Sequence, residues 1–190
     1  RMEGESTEVS SPVGLDQHAD WARDVASYIL QAHSEGKGGM LVLGTAFKDL
    51  SAIAGLIGDQ ARVLEHRPGH SLGALREQFL ALAENDPDVR PILLAAGSAW
   101  TGFDLHLEGN PNACTDLVIL NAPFGAVSRT LAREARLQQR YGFNELVAQV
   151  TVLVRQGIGR LVRSPETPPN RRIHWLDARI HQPTTAGMLN

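Results

Sequence analysis

Gly38-Gly39-Met40-Leu41-Val42-Leu43-Gly44 is the stretch that decides the architecture of this chain. Its four apolar residues run without polar alternation between glycines, the pattern of a short strand buried on both faces of a parallel sheet. Similar runs recur at residues 62–64, 91–96, 116–120 and 173–176. Helical patterns separate them. Trp21, Val25, Ile29 and Leu30 recur at helical spacing and stop at Glu35-Gly36-Lys37-Gly38-Gly39. Further helices are predicted over residues 47–57, 72–83, 128–140 (opened by Ser128 as N-cap) and from 143 toward 163. Residues 97–111 read as a glycine-broken loop. Short apolar strands alternating with amphipathic helices predict an α/β fold, a mainly parallel sheet covered on both faces. Ligands of such sheets sit at the carboxyl ends of the strands.

The chain has 190 residues, 43% hydrophobic and 21% charged, enough for one domain with a real core. Residues 1–16 are rich in Glu, Ser, Pro and Gly and read as a linker or disordered leader; residues 17–182 read as the domain and 183–190 as a tail. The single cysteine, Cys114, excludes an intrachain disulfide or a multi-cysteine metal site and agrees with a reducing, cytoplasmic setting. No apolar run approaches the ~18 residues of a membrane span.

Charge is unevenly placed. Residues 1–128 hold 8 basic and 17 acidic side chains and residues 129–190 hold 10 and 4, about −9 and +6 against a net charge of −3. All ten basic groups in the second part are arginine, the side chain suited to two-pronged phosphate contact. This points to an anionic partner for the C-terminal part.

Three segments carry candidate chemistry. In Gln156-Gly157-Ile158-Gly159-Arg160-Leu161-Val162-Arg163, a continuous helix would put Gln156, Arg160 and Arg163 on one face at i, i+4 and i+7. Two glycines so close weaken a helix by roughly 1 kcal/mol each, a cost that close backbone approach to a ligand or another domain can offset. The face suits polyphosphate oxygens; a solvated basic helix end is the other reading. Ser98-Ala99-Trp100-Thr101-Gly102-Phe103-Asp104 follows a buried strand, where small residues let backbone amides face a ligand; an ordinary glycine turn is the alternative. Trp100 is read as core in preference to a base-stacking platform. Arg129, Arg133, Arg136 and Arg140 form a helical stripe that could track a nucleic-acid backbone or lie solvated. His66 and His70 are separated by Pro68-Gly69, which breaks any helix that would align them on a metal.

Taken together, these segments resemble the DinG/XPD group of superfamily 2 helicases. Residues 38–47 resemble its motif IV, Ser98 to Asp104 its motif V, residues 156–163 its motif VI (Q-x-x-G-R-x-x-R), Leu120-Asn121-Ala122-Pro123-Phe124 its L-P-F segment and Leu176-Asp177-x-Arg179 its L-D-x-R. Thr101 stands where motif V usually has glutamate, and Gly44 and Ala46 alter motif IV. Trp100-Thr101-Gly102 and Arg171-Arg172 are similar to the CRISPR-associated branch.

The resemblance implies a RecA-like three-layer sandwich, the second motor domain of an ATP-dependent 5′→3′ DNA helicase. Arg160 and Arg163 would be arginine fingers and Gln156 a phosphate sensor. Gly102, Asp104 and Gly159 would line the ATP cleft, and Thr45, Ser98 and the stripe arginines would meet single-stranded DNA. No G-x-x-x-x-G-K-[ST] loop is present, since Gly36-Lys37-Gly38 lacks both the earlier glycine and the hydroxyl residue. ATP and Mg2+ are therefore expected mainly on a first motor domain of the same polypeptide. Any iron–sulfur cluster would also lie outside this segment, and a CRISPR ribonucleoprotein is a further implied partner. A self-contained α/β module that binds an anion or nucleotide is the alternative from another class.

Overall fold

The computed structural model describes residues 4–9, 15–86, 88–101, 104–124, 143–159, 161 and 170–177. Six strands, β1 (Gly4–Val9), β2 (Gly39–Gly44), β3 (Val63–Glu65), β4 (Ile92–Ala96), β5 (Cys114–Ile119) and β6 (Arg172–Asp177), form one sheet in the order β1-β6-β5-β2-β4-β3. Every pairing is parallel. The described helices are α1 (Leu15–Glu35), α2 (Phe47–Ile57), α3 (Leu72–Asn85) and α4 (Phe143–Ile158).

The opening stretch behaves as its composition predicts. All six residues of β2 are buried, and the strand lies between β4 and β5. Alternate side chains feed two separate cores, because successive residues of a strand point to opposite faces. Met40 and Val42 meet α1 and α2 through Val25, Ile29, Leu50 and Ile53. Leu41 and Leu43 meet α3 and α4 through Phe79, Val150 and Val154. Truncating such a side chain to alanine costs about 2–5 kcal/mol, so both layers are needed to hold the sheet.

Several boundaries differ from the sequence reading. Residues 4–9 do not belong to a disordered leader; they form β1, in parallel register with β6 from Gly4 opposite Ile173. The physical reason is that an edge strand takes its hydrogen bonds from a neighbour remote in sequence, so apolar periodicity is not required. Helix α1 starts at Leu15, two residues into that leader. Helix α4 stops at Ile158 instead of running toward 163. Gly159 N–H still bonds Arg155 O at 2.9 Å, but Leu161 N–H bonds Ile158 O, a tighter turn. Residues 97–100, expected as loop, make one turn of 3-10 helix. The expected helix over 128–140 lies outside the described residues.

Candidate functional site

The carboxyl end of β2 is where the candidate segments meet. Gly44 ends the strand against α2; a Cβ there would lie 2.9 Å from Leu50 Cδ2, so a side chain at this position would have to push Leu50 aside. Thr45 follows, exposed, and its Oγ1 donates to Asn121 Oδ1 at 2.8 Å, joining the ends of β2 and β5. On the other side of β2, Gly97 leaves β4 with φ +64°, a left-handed conformation that glycine adopts without strain. The turn exposes Ser98 and buries Ala99 and Trp100.

Trp100 is 3% exposed and donates from Nε1 to Gly44 O at 2.9 Å. It is core, and its indole fastens the loop after β4 to the end of β2. Helix α4 docks on this pair. A Cβ on Gly157 would stand 3.1 Å from Leu43 Cδ1 and 3.4 Å from two Trp100 ring carbons. The close approach that this glycine makes here is to the domain's own strand end. Gln156 is exposed immediately beside it.

The other sequence-predicted residues fall less simply. Asp104 Oδ1 accepts from the His106 N–H at 2.9 Å and its backbone carbonyl accepts from Arg76 Nε of α3, so this residue shapes its own loop. Gly159 spends its amide on Arg155 O. Arg160, Arg163, Gly102, Arg129, Arg133, Arg136 and Arg140 lie outside the described residues, and α4 itself ends at Ile158. His66 is buried edge-on to Phe47 at 5.1 Å, while His70 is exposed. Among the described residues no three His, Cys, Asp or Glu side chains group as a metal site.

Two residues gain roles that sequence reasoning missed. Asn121 anchors Thr45. Asp177, buried at the end of β6, accepts from Ala122 N–H through Oδ2 at 2.7 Å and so holds the Leu120–Phe124 segment against the last strand. The pairing of a strand-end acid with a glycine-free turn 55 residues away leaves no local signal.

The amino ends of the strands are chemically different. Asp116 is 1% exposed and its carboxylate accepts from Arg172 Nε (2.6 Å), His174 Nε2 (3.1 Å) and Thr115 Oγ1 (2.6 Å). One proton on His174 Nε2 satisfies that contact and leaves Nδ1 to accept from the Tyr28 hydroxyl at 2.9 Å. Thr115 Oγ1 in turn accepts from Gly38 N–H. Burial alone would raise the Asp116 pKa, but the hydrogen bonds from His174, Thr115 and Arg172 outweigh it and hold the carboxyl below its ordinary value. Burial pushes the nearby half-buried Cys114 thiol up to about 12, which disfavours its thiolate.

A parallel sheet with helices on both faces, and three polar segments gathered at its carboxyl ends, defines a RecA-like α/β domain. The chain matches the model of the helicase C-terminal domain family over residues 29–190 and belongs to that family. It is similar in fold to Xpd4 of S. tokodaii, with a TM-score of 0.60, 15% identity and coverage of 94% of this chain and 35% of that one. It is also similar to the C-terminal part of the Fun30 ATPase domain, with a TM-score of 0.54, 11% identity and coverage of 86% and 43%. The chain thus spans less than half the length of either. No curated protein matches it. The family match and the fold likeness agree on a helicase C-terminal domain. No described helix is long and apolar enough to cross a membrane.

Proposed function

We propose that this chain is the second motor domain of an ATP-dependent DNA helicase that moves 5′→3′ on single-stranded DNA. In this reading it closes on ATP and Mg2+ held mainly by a first motor domain of the same polypeptide. The observation that supports it most is the seating of Gly157 on Leu43 and Trp100, which brings the ends of three separate motif-like segments into one place. Exposed Ser98 and Gln156 give that edge neutral donors for an anion, while the acid at the same strand ends, Asp177, is buried and bonded to Ala122. The fit to a triphosphate is therefore favourable on this side. Gln156, Arg160 and Arg163 would hold the γ-phosphoryl group, and bound ATP would supply that group for transfer. Thr45, Ser98 and the stripe Arg129, Arg133, Arg136 and Arg140 would contact the DNA strand.

A positioned arginine finger is worth about 10³–10⁵ in rate. Arg160→Ala in the intact protein should lower kcat for ATP by roughly three orders of magnitude and leave nucleotide-free DNA affinity nearly unchanged. Near-normal turnover with a large loss of DNA affinity would show that the arginines grip DNA, as an anion-binding module without motor activity requires. Replacing two stripe arginines should flatten the salt dependence of single-strand binding by about 0.7 per lost contact in log–log slope. An unchanged slope assigns the stripe elsewhere.

The CRISPR-associated branch is a second reading, supported only by Trp100-Thr101-Gly102 and Arg171-Arg172. Trp100 is core, Arg172 bonds Asp116, and Arg171 Nη2 bonds Pro111 O, so these residues serve packing first. Specific binding of the intact protein to a CRISPR ribonucleoprotein, absent with free RNA, would support that branch; equal binding to both would remove it.

A further inference from the structure

Gly36-Lys37-Gly38 is too short for a nucleoside-triphosphate loop, and the proposed motor role leaves it unused. It lies at the amino end of β2, whereas Thr45 marks the carboxyl end. At about 3.3 Å per residue a six-residue strand puts roughly 20 Å between the two edges. A cavity of about 200 Å³ opens there, lined by Lys37, Gly38, Gly39, Arg90, Asn110 and Asn112 with a small apolar wall. We infer that this cavity is a second anion site, built to take one phosphate group and separate from the nucleotide cleft.

Its walls are held in place before any ligand arrives. Gly38 N–H is bonded to Thr115 Oγ1 and Gly39 N–H to Ala113 O. A Cβ on Gly38 would fall 1.9 Å from Asn112 O, so only glycine backbone can form this floor. Asn110 is fixed at both ends, donating from Nδ2 to Ala83 O at 3.1 Å and accepting the Asn112 N–H at 3.0 Å. Asn112 Oδ1 accepts from Asn170 Nδ2, which leaves the Asn112 amide nitrogen as a donor.

The charge in the lining is all of one sign. Lys37 is exposed and has no carboxylate partner among the described residues. Arg90 gives Nη1 to Gly36 O and, among the described residues, also has no carboxylate partner. The remaining guanidinium donors and the lysine ammonium form a mixed pair of the kind that binds phosphate oxygens. Asp86 and Asp88, on the turn before Arg90, are exposed and do not line the cavity; Asp86 Oδ1 is spent on the Asp88 N–H. His33, whose Nε2 reaches Arg90 O at 2.7 Å, is held neutral-leaning by burial first, and the positive charge of Arg90 adds to that. A local positive field with satisfied neutral walls suits a phosphate group, either a free phosphate or monoester or the singly charged diester of a nucleic-acid backbone.

The test uses the intact protein with its motor cleft blocked by a non-hydrolysable ATP analogue. Calorimetric titration with inorganic phosphate should show one saturable site, on the order of millimolar. Lys37→Glu should weaken it at least tenfold and Arg90→Lys a few-fold, while Lys37→Glu leaves ATP turnover unchanged. A single-stranded oligothymidine then separates the sources. If a DNA phosphate is the native occupant, the oligonucleotide competes with phosphate and Lys37→Glu lowers its affinity. If a small phosphate ester is, DNA affinity does not move. Absence of saturable phosphate binding to the wild type, or equal binding in Lys37→Glu, overturns the site.

Discussion

At the carboxyl ends of the strands Thr45, Ser98 and Gln156 stand exposed, whereas at the amino ends Thr115, Asp116 and His174 are buried in one bonded network. The contrast follows from what each end has to do. The carboxyl end is assembled from glycines and one tryptophan, so its backbone approaches closely and Ser98 and Gln156 stay exposed, while its acid, Asp177, is buried and bonded to Ala122. The amino end carries a buried carboxylate, a large desolvation cost that is offset only while every acceptor stays paired. Apart from the Lys37–Arg90 cavity, one end is arranged for exchange of partners and the other for permanence. Changes at the amino end should therefore register in stability and changes at the carboxyl end in turnover.

The largest stability effect is expected at Asp116. Asp116→Ala leaves the buried His174 without its acceptor and takes one carboxylate from the half-buried Arg172, which keeps Ala32 O and Glu35, and should cost about 3 kcal/mol of unfolding free energy, read by urea denaturation. ATP turnover per folded molecule should be preserved; its collapse would break the contrast between the two ends. The acid limb offers a sharper reading. Because the folded carboxyl lies below its ordinary value, its contribution is fully present above the unfolded pKa of about 3.9 and is lost as pH falls through the lower folded one. Wild type should accordingly lose stability more steeply than Asp116→Asn below about pH 4. Parallel acid limbs would mean that Asp116 is not the group responsible.

A smaller and mixed effect is expected at Gly157. Gly157→Val forces its side chain against Leu43 and Trp100, and overpacking of this kind costs about 1–3 kcal/mol. ATP turnover should fall further than melting temperature suggests, since Gln156 moves with the backbone. Gly157→Ala is the finer probe: its helix-propensity gain of about 1 kcal/mol is set against the 3.1 Å contact, so stability should barely change. A full gain in stability with unchanged turnover would show that α4 is seated more loosely than the contact implies.

The smallest effect belongs to Thr45→Val. The bond to Asn121 is exposed, and its loss should change stability by no more than about 0.5 kcal/mol. Single-stranded DNA affinity, followed by fluorescence anisotropy, should drop by roughly 0.5–1.5 kcal/mol, one hydrogen bond's worth. A stability loss without any change in affinity would move Thr45 from the binding edge to the scaffold.

Much of this was legible from residues alone, and the reason is local. The run Met40–Leu43 between glycines specifies a strand buried on both faces because no polar residue is there to meet water, and the helical spacing of Trp21, Val25 and Ile29 specifies the layer that covers it. A costly helix glycine suggests a close approach, and Gly157 makes one to its own strand end, whereas Gly159 meets only its own helix. Motif order and arginine content, which need no coordinates, led to the helicase family that the chain matches.

What the tertiary structure alone decided is which remote groups answer one another. Polar residues 4–9 became a strand because β6 offered backbone hydrogen bonds. The partner of Gly157 proved to be Trp100, and the partners of Asp116 lie 56 and 58 residues away on β6. A sequence records which side chains need a partner, since burial of a charge or a missing Cβ has the same cost wherever it occurs. It does not record which partner, because pairing across a sheet depends on strand order, and strand order is settled only when the two cores close.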